Sequence, residues 1–372
     1  MMGLFKYTGW FTGGRTINGY KSIQWVERYR EPGSFEIKAP LSSGLKDFLP
    51  LGTLISHLGT YEVMIVEDHA IDESIYSEPE LTITGRTMET ILDQRVTGLE
   101  LLYGGSATVW MQNLNLAADY SWAQAAYLIN LHVQQGVASA NNAIPNVWSE
   151  SAVTGSGTSV ARSLARESLH KTVLDLLKVD NCGIQTIRIN PFGKKGYNDS
   201  IVWRIHKGVD RTKTVIFSWK TGDLIGAQYL WSDQTNKNTA YIYGKWVNTL
   251  YPADNVAPAG MNRRIIIVNA SDLDEKETTY PSGTPLTNII AQMNERGAKA
   301  IQAGNRIALS GADLTEVTRY QYRRDFDIGD IVMLDSNFGQ IAPYRVVEFA
   351  EIWDENEFKG VPTLEVPDPQ TT

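Results

Sequence analysis

The sequence predicts a β-rich α+β fold. It has two small β-barrel modules at its ends, a helical insertion and a peripheral mixed α/β region. Three observations point there. Residues 23–95 open as a hairpin and continue as short strands broken by polar turns. Residues 326–366 repeat that alternation. Between them, stretches near 117–137, 159–179 and 284–303 place apolar residues three to four apart, the spacing of a helix face. The expected divisions are a barrel over 1–95, a helical insertion over 96–184, a mixed region over 185–304 and a second barrel over 305–372.

Residues 1–22 are rich in Gly and Thr, punctuated by Phe5, Tyr7, Trp10, Phe11 and Tyr20, and read as a loose arm or as one ordered against a neighbouring subunit. In the hairpin, Ile23, Trp25 and Glu27 fall on one face and Gln24, Val26 and Arg28 on the other. Phe35-Glu36-Ile37-Lys38 returns, and Glu31-Pro32-Gly33-Ser34 has the residues of a type II turn. Tyr61–Val66 and Leu81–Thr84 read as strands, with Gly85 breaking the second and Thr87 or Thr90 capping a short helix.

Residues 96–116 read as strand and turn. The next helix has Asp119 or Ser121 as its cap and Trp122, Ala125, Ala126, Ile129 and Val133 on its face. The stretch NNAIPNVWSESAVTGSGTS reads as an exposed loop, and a helix capped by Thr158 or Ser159 is expected to run to about Val179. IQTIRI, IVWRIH, VIFSW, AQYLW, TAYIYG and RRIIIV carry strand composition. Thr284-Pro285 starts the clearest helix, whose interior Gly297 calls for a bend or a close approach. TRYQYRRDF, Ile331–Leu334, Gln340–Ile352 and Thr363–Val366 read as the closing strands, with turns at Asp327–Asp330 and Asp354–Asn356. In the long strand Val346, Glu348, Ala350 and Ile352 share a face, and Asp330→Pro is expected to remove a ladder N–H.

Several of these motifs carry a family resemblance. WVERYREPGSFEI, PLGTLI, EVMIVED and ELTITGRTMETILDQR resemble the start of the tail-hub (baseplate hub or distal tail hub) proteins of long-tailed bacteriophages. Gly222-Asp223-Leu224, Asn236-Lys237-Asn238 with Gly244, the Arg-Arg strand before Ala-Ser-Asp, and the closing Asp-x-Gly-Asp turn are similar to the same family. The resemblance covers most of the chain and departs furthest in the insertion. It implies a homotrimer that sets six barrels around a channel. That trimer joins a sixfold tail tube or distal-tail ring to a threefold tip, fibre or spike protein, with the tape measure protein as a further partner. It further implies that DNA passes through the lumen without specific binding, that the protein belongs to the virion, and that assembly takes place in the host cytoplasm.

Composition narrows the alternatives. A net charge of −8 disfavours sequence-specific DNA binding, since an acidic chain gains nothing from counterion release. The ten Trp and seventeen Tyr suit β cores and subunit interfaces, or a carbohydrate-binding module. One cysteine, Cys182, precludes an intramolecular disulfide and a cysteine zinc site. The start MMGLFKYTGWFTGG lacks a signal-peptide pattern, and no apolar run reaches about 20 residues.

No catalytic, cofactor-binding or metal-binding residue is assigned, no cofactor is expected, and the expected class is not an enzyme. His57, His69, His132, His170 and His206 form no ligand motif, and neighbours Asp68 and His69 point to opposite faces of a strand. Lys194 and Lys195 beside Gly193 have the wrong order for a phosphate loop. Cys182 follows Asp180-Asn181 at a helix end, where the dipole works against a thiolate. The acidic groups Glu78/Glu80, Asp272/Asp274/Glu275 and Asp354/Glu355/Glu357 read as solvated turns. A carboxylate pair for glycoside hydrolysis depends on spatial separation, so a tail-associated cell-wall hydrolase stays as the alternative.

Overall fold

A computed structural model of the chain describes residues 3–367 apart from 9–11, 61, 75–76, 99–100, 104–105, 109–113, 139–141, 155–158, 165, 190–199, 228–229, 233–235, 245–246, 254–257, 272, 274–284, 304–306, 310–311, 315–318, 337–338, 340, 355–357 and 366. The fold is β-rich α+β, and its two ends meet in one eleven-stranded sheet. Its order is Ile216–Ser218, Ile331–Asp335, Ile341–Trp353, Ser22–Arg28, Ser34–Pro40, Ser77–Thr87, Met64–Ser74, Leu54–His57, Leu4–Thr8, Thr12–Ile17, with Phe358–Glu365 also paired to Ile341–Trp353. Among the described residues these pairings do not close the sheet on itself.

The long strand Ile341–Trp353 makes the join. Its first half pairs with the closing module, Ile331 opposite Arg345. Its second half pairs with the opening hairpin, Glu348 opposite Arg28 and Trp353 opposite Ile23. A bulge between Val346 and Glu348 separates the halves, where the Tyr29 N–H reaches the Val347 carbonyl at 2.9 Å. One extra residue reverses which side chains face inward. Tyr344 and Val346 are buried before the bulge, Phe349 and Glu351 after it. The single face expected for Val346, Glu348, Ala350 and Ile352 is therefore corrected: across the bulge the buried side passes from Val346 to Phe349 and Glu351, so Val346 does not share a face with Glu348, Ala350 and Ile352.

The hairpin of Ser22–Arg28 and Ser34–Pro40 is present, Trp25 opposite Phe35. Its turn is not type II, because Gly33 lacks a positive φ. A Cβ there would lie 2.5 Å from the Val26 carbonyl oxygen, so close approach is what requires glycine. Gly85 does not break its strand either. Ser77–Thr87 runs through it, and a Cβ would sit 1.8 Å from the Ile65 carbonyl oxygen. A 3-10 helix, Met88–Gln94, follows; Thr87 precedes it without capping it through its side chain.

The arm is ordered against its own chain. Leu4–Thr8 pairs with both Thr12–Ile17 and Leu54–His57, burying Leu4 and Ile17. Trp10 and Phe11 lie outside the described residues. TRYQYRRDF is not a strand: its described part is a turn held by Arg323 N–H on the Phe326 carbonyl at 2.8 Å, with Arg323 at φ 64. The turn at Asp327–Asp330 stands, but the Asp330 N–H bonds Asp327 O at 3.1 Å and makes no ladder bond. Trp353 pairs with Phe358 across the expected hairpin turn, whose Glu355 and Asn356 lie outside the described residues.

The centre of the chain is α/β. Ser121–Val133 is helical, with Tyr120 at its N-cap in place of Asp119 or Ser121. The stretch expected to be an exposed loop contains the strand Val147–Ser151, parallel to Ser200–His206. The helix expected from Thr158 onward begins only at Leu169, where the Ser168 hydroxyl accepts the Lys171 N–H at 3.4 Å. Val160–Leu164 before it is a strand paired with Leu114–Asp119. Val160 and Leu164 are four apart, a spacing compatible with either structure, and pairing decided it. Both helices pack with Ile184, Ile201, Trp203 and Ile205 in one core.

The helix Pro285–Ala303 lies on a separate three-stranded sheet ordered Asn248–Pro252, Thr239–Tyr243, Ile265–Asn269. TAYIYG and RRIIIV are thus neighbours and parallel. Gly297 serves close packing: a Cβ there would lie 2.6 Å from Ile242 Cδ1 and 3.2 Å from Ala240 Cβ.

Candidate functional site

The described residues that draw most buried polar chemistry together lie where the two ends of the chain meet. Ile23, Trp25 and Glu27 share the inward face of their strand and are each at most 1% exposed, so a carboxylate continues a row of core side chains. Burial by itself raises the pKa of Glu27. The Arg323 guanidinium and hydrogen bonds from Tyr322 and Thr60 outweigh it and hold the carboxyl below its ordinary range. Thr60 Oγ1 donates to Glu27 Oε1 at 2.8 Å, Trp25 Nε1 at 3.2 Å, and Tyr322 OH donates to Oε2 at 2.6 Å. Arg323 NH2 pairs with Glu27, and its NH1 reaches Glu351 Oε1 at 3.4 Å.

His57 completes the cluster. Its Nδ1 donates to Leu58 O at 2.6 Å, and its Nε2 stands 3.1 Å from Glu351 Oε2. Its ring meets Trp25 edge to face at 4.8 Å. Glu62 lies close by without a hydrogen-bond partner for Oε2. Burial, then the nearby Glu27 and Glu89, lift its pKa well above the usual carboxylate range. The cluster thus ties the opening hairpin, the segment 57–62, the 320–327 turn and the long strand to one guanidinium.

Tyr29, two residues beyond Glu27, joins the central core. Its OH donates to Asn181 O at 2.7 Å, its carbonyl accepts the Ile184 N–H at 3.0 Å, and its ring meets His206 edge to face at 5.3 Å. A Cβ on Gly183 would lie 2.3 Å from the Tyr29 carbonyl oxygen, so the two segments touch along their backbones. Burial pushes the Tyr29 hydroxyl up to about 12, leaving it a neutral donor at physiological pH.

Asp330 pins the closing turn through its side chain. It accepts from Val209 N at 2.7 Å, Arg211 Nε at 2.5 Å and Asp327 N at 3.0 Å.

This arrangement holds segments together and gives no access to a polysaccharide. Glu27, Glu62 and Glu351 are 1%, 3% and 8% exposed, so they cannot flank a sugar chain as a glycosidase pair must. Among the described residues no His, Cys, Asp and Glu group could hold a metal ion. His69 Nε2 is engaged by Leu49 O at 2.8 Å. His132 accepts the Gly98 N–H at 3.0 Å through Nε2, and burial lowers its pKa. His170 Nδ1 faces Asp93 at 3.2 Å. Burial lowers His206 to about 4 and, with Asp180, raises Cys182 to about 12, which leaves the thiol inert. Glu78 accepts from the Ser42 hydroxyl. Lys194, Lys195, Asp272, Asp274, Glu275, Glu355 and Glu357 lie outside the described residues.

Sequence reasoning missed Arg323 and Tyr29. The one available signal was Glu27 in line with Ile23 and Trp25, because a carboxylate on a core face implies a buried cation opposite.

A similar fold occurs in solved tail proteins. The 43 kDa tail protein of prophage MuSo2 from Shewanella oneidensis superposes with a TM-score of 0.58 at 12% identity, covering 98% of this chain and 99% of that one. A tail protein from Neisseria meningitidis MC58 gives 0.57 at 12%, covering 98% and 96%. Prophage tail protein gp18 from Listeria monocytogenes EGD-e gives 0.53 at 12%, covering 99% and 95%. No curated protein matches the chain. The family model described as Siphovirus ReqiPepy6 Gp37-like protein matches residues 9–364, nearly the whole length, and the chain belongs to that family of phage tail proteins.

Proposed function

We propose that this protein is the hub of a phage tail tip, a homotrimer that joins the sixfold tail tube or distal-tail ring to a threefold tip, fibre or spike protein. The observation that carries this reading is the shared long strand, which fuses the opening and closing modules side by side in one chain. Three chains so built present six modules, the number a sixfold tube requires. In this reading residues 1–95 and 305–372 each complete a small barrel in the assembled ring, residues 185–304 support the second, and residues 96–184 lie outside. DNA crosses the lumen without specific binding, as the net charge of −8 favours, and the tape measure protein contacts the same opening. The protein is then a virion component assembled in the host cytoplasm. The buried junction serves as a rigid splint between the two modules and catalyses nothing.

Electron-microscopic class averages of the purified protein test this. The expected image is a threefold ring about a central channel with six lobes. Compact particles without an axis would refute the reading.

A further inference from the structure

The helix Pro285–Ala303 turns two unlike stripes to two neighbours. Ile289, Met293, Gly297 and Ile301 repeat every four residues and close on Ala240 and Ile242 of its own sheet, in a core that shares no residue with the central one. Gln292, Glu295 and Lys299 form the other stripe, which meets the central α/β core. Gln292 Nε2 donates to Ala161 O at 3.2 Å, Lys299 Nζ to Asp175 O at 2.7 Å, and Arg162 NH2 donates to Glu295 Oε1 at 2.6 Å. One helix thus makes an apolar seam within its unit and a polar seam to the next. A polar seam between units permits relative motion, which a large apolar one opposes.

The seam is built so that parting leaves no charge stranded. Arg162 is 5% exposed, yet three of its hydrogen bonds stay inside the central core: to the Ser121 hydroxyl at 3.0 Å, to Val160 O at 3.3 Å and to the side-chain oxygen of Gln124. Glu295 already has 20% of its side chain in solvent. The Ala161 and Asp175 carbonyls exchange a side-chain donor for water, a near-even trade.

The tether is as narrow as the seam is polar. The chain enters the unit along Leu224–Ala227 and Leu230–Ser232 and leaves it along Ile307–Leu309 and Ala312–Leu314. These strands pair antiparallel, Leu224 opposite Leu314 and Leu230 opposite Leu309, so both tethers run together as a two-stranded ribbon. Its root lies in the closing module, where Leu224 is buried with Val215 and Phe217. The register shifts between Leu224 and Gly226, and a bulge there is a place where a ribbon bends. A two-stranded ribbon by itself is weakly held.

We infer that the helix-backed sheet over 239–303 is a paddle on this ribbon, clasped to the central core by Glu295 on Arg162, and that it swings away whole when that pair parts. The inference does not depend on the hub reading or on the number of copies. It is a hinge motion in which the helix stays on its sheet.

Electron–electron distance measurement between nitroxide labels tests it in the full-length chain. One label is placed by Tyr127→Cys on the helix Ser121–Val133 and the other by Met261→Cys on the paddle. Both positions are exposed, 55% and 100%, and the buried Cys182 takes no label. With the clasp intact the pair is expected at one principal distance. Glu295→Gln is expected to raise the population at longer distance at least about tenfold over that of the intact clasp, the worth of a charge-assisted hydrogen bond. Glu295→Lys sets like charge against Arg162 and is expected to make the longer distance the major one. Circular dichroism is expected to match across all three, because the paddle moves without unfolding. An unchanged single distance in both variants overturns the clasp. A broad spread of distances with loss of helical signal overturns the swing, since the unit would then be melting in place of moving.

Discussion

Arg323 is the side chain on which the junction depends. It is held at φ 64, an uncommon backbone conformation for a side chain of its size, and it is the cation placed between Glu27 and Glu351. Removing one partner of a buried pair leaves the other charge without compensation, at a cost of about 3–5 kcal/mol. Arg323→Met is therefore expected to lower unfolding stability by that amount, and adding Glu27→Gln to recover part of it. Urea denaturation of the single and double variants reads both, and an additive loss would count against the pairing. A neighbouring carboxyl gives a pH signature. Burial lifts Glu89 from 4.5 to about 6, so between those values the folded chain binds more protons than the unfolded one. Its stabilising contribution is complete below about pH 4.5 and fades as pH rises through about 6. Glu89→Gln is expected to flatten that decline and to raise stability at pH 7 by up to about 2 kcal/mol, at 1.36 kcal/mol per pKa unit. Equal stability of variant and wild type at pH 7 would remove Glu89 as the source.

Among elements, the strand Ser77–Thr87 shows how tightly the sheet constrains its backbone. Gly85 lies against the Ile65 carbonyl with no room for a methyl group. Gly85→Ala is expected to cost about 3 kcal/mol, the upper range of overpacking, and to lower the melting temperature by several degrees. A melting curve superimposed on that of the wild type would show that the strands can part there. Elements with a regular period were legible in the sequence: the opening hairpin, the helix Pro285–Ala303 with its glycine contact, and the strands over 183–189, 200–206 and 239–243. What hid the others was physical. The bulge at Val347 breaks the period without changing composition, so the inward switch from Val346 to Phe349 left no mark in the sequence. Val147–Ser151 is short and polar and becomes a strand only because Ser200–His206 lies beside it. The alternating aromatics of Tyr320 and Tyr322 imitate a strand, while Arg323 in a left-handed conformation turns the chain. The junction was the least legible part, since Glu27 and Arg323 are 296 residues apart and only the sheet brings them together.

For the whole molecule, the single sheet that links both ends makes the chain a bridge between two modules. The central α/β core and the helix-backed sheet pack around that bridge as separate clusters. In the hub role proposed above, such a chain would meet a sixfold neighbour on one side and a threefold neighbour on the other. That role requires three copies, and the mass of the purified protein by light scattering across a concentration series counts them. The expected species is three times 41.5 kDa, about 125 kDa, and persists on dilution. A particle of 41.5 kDa at every concentration would contradict it.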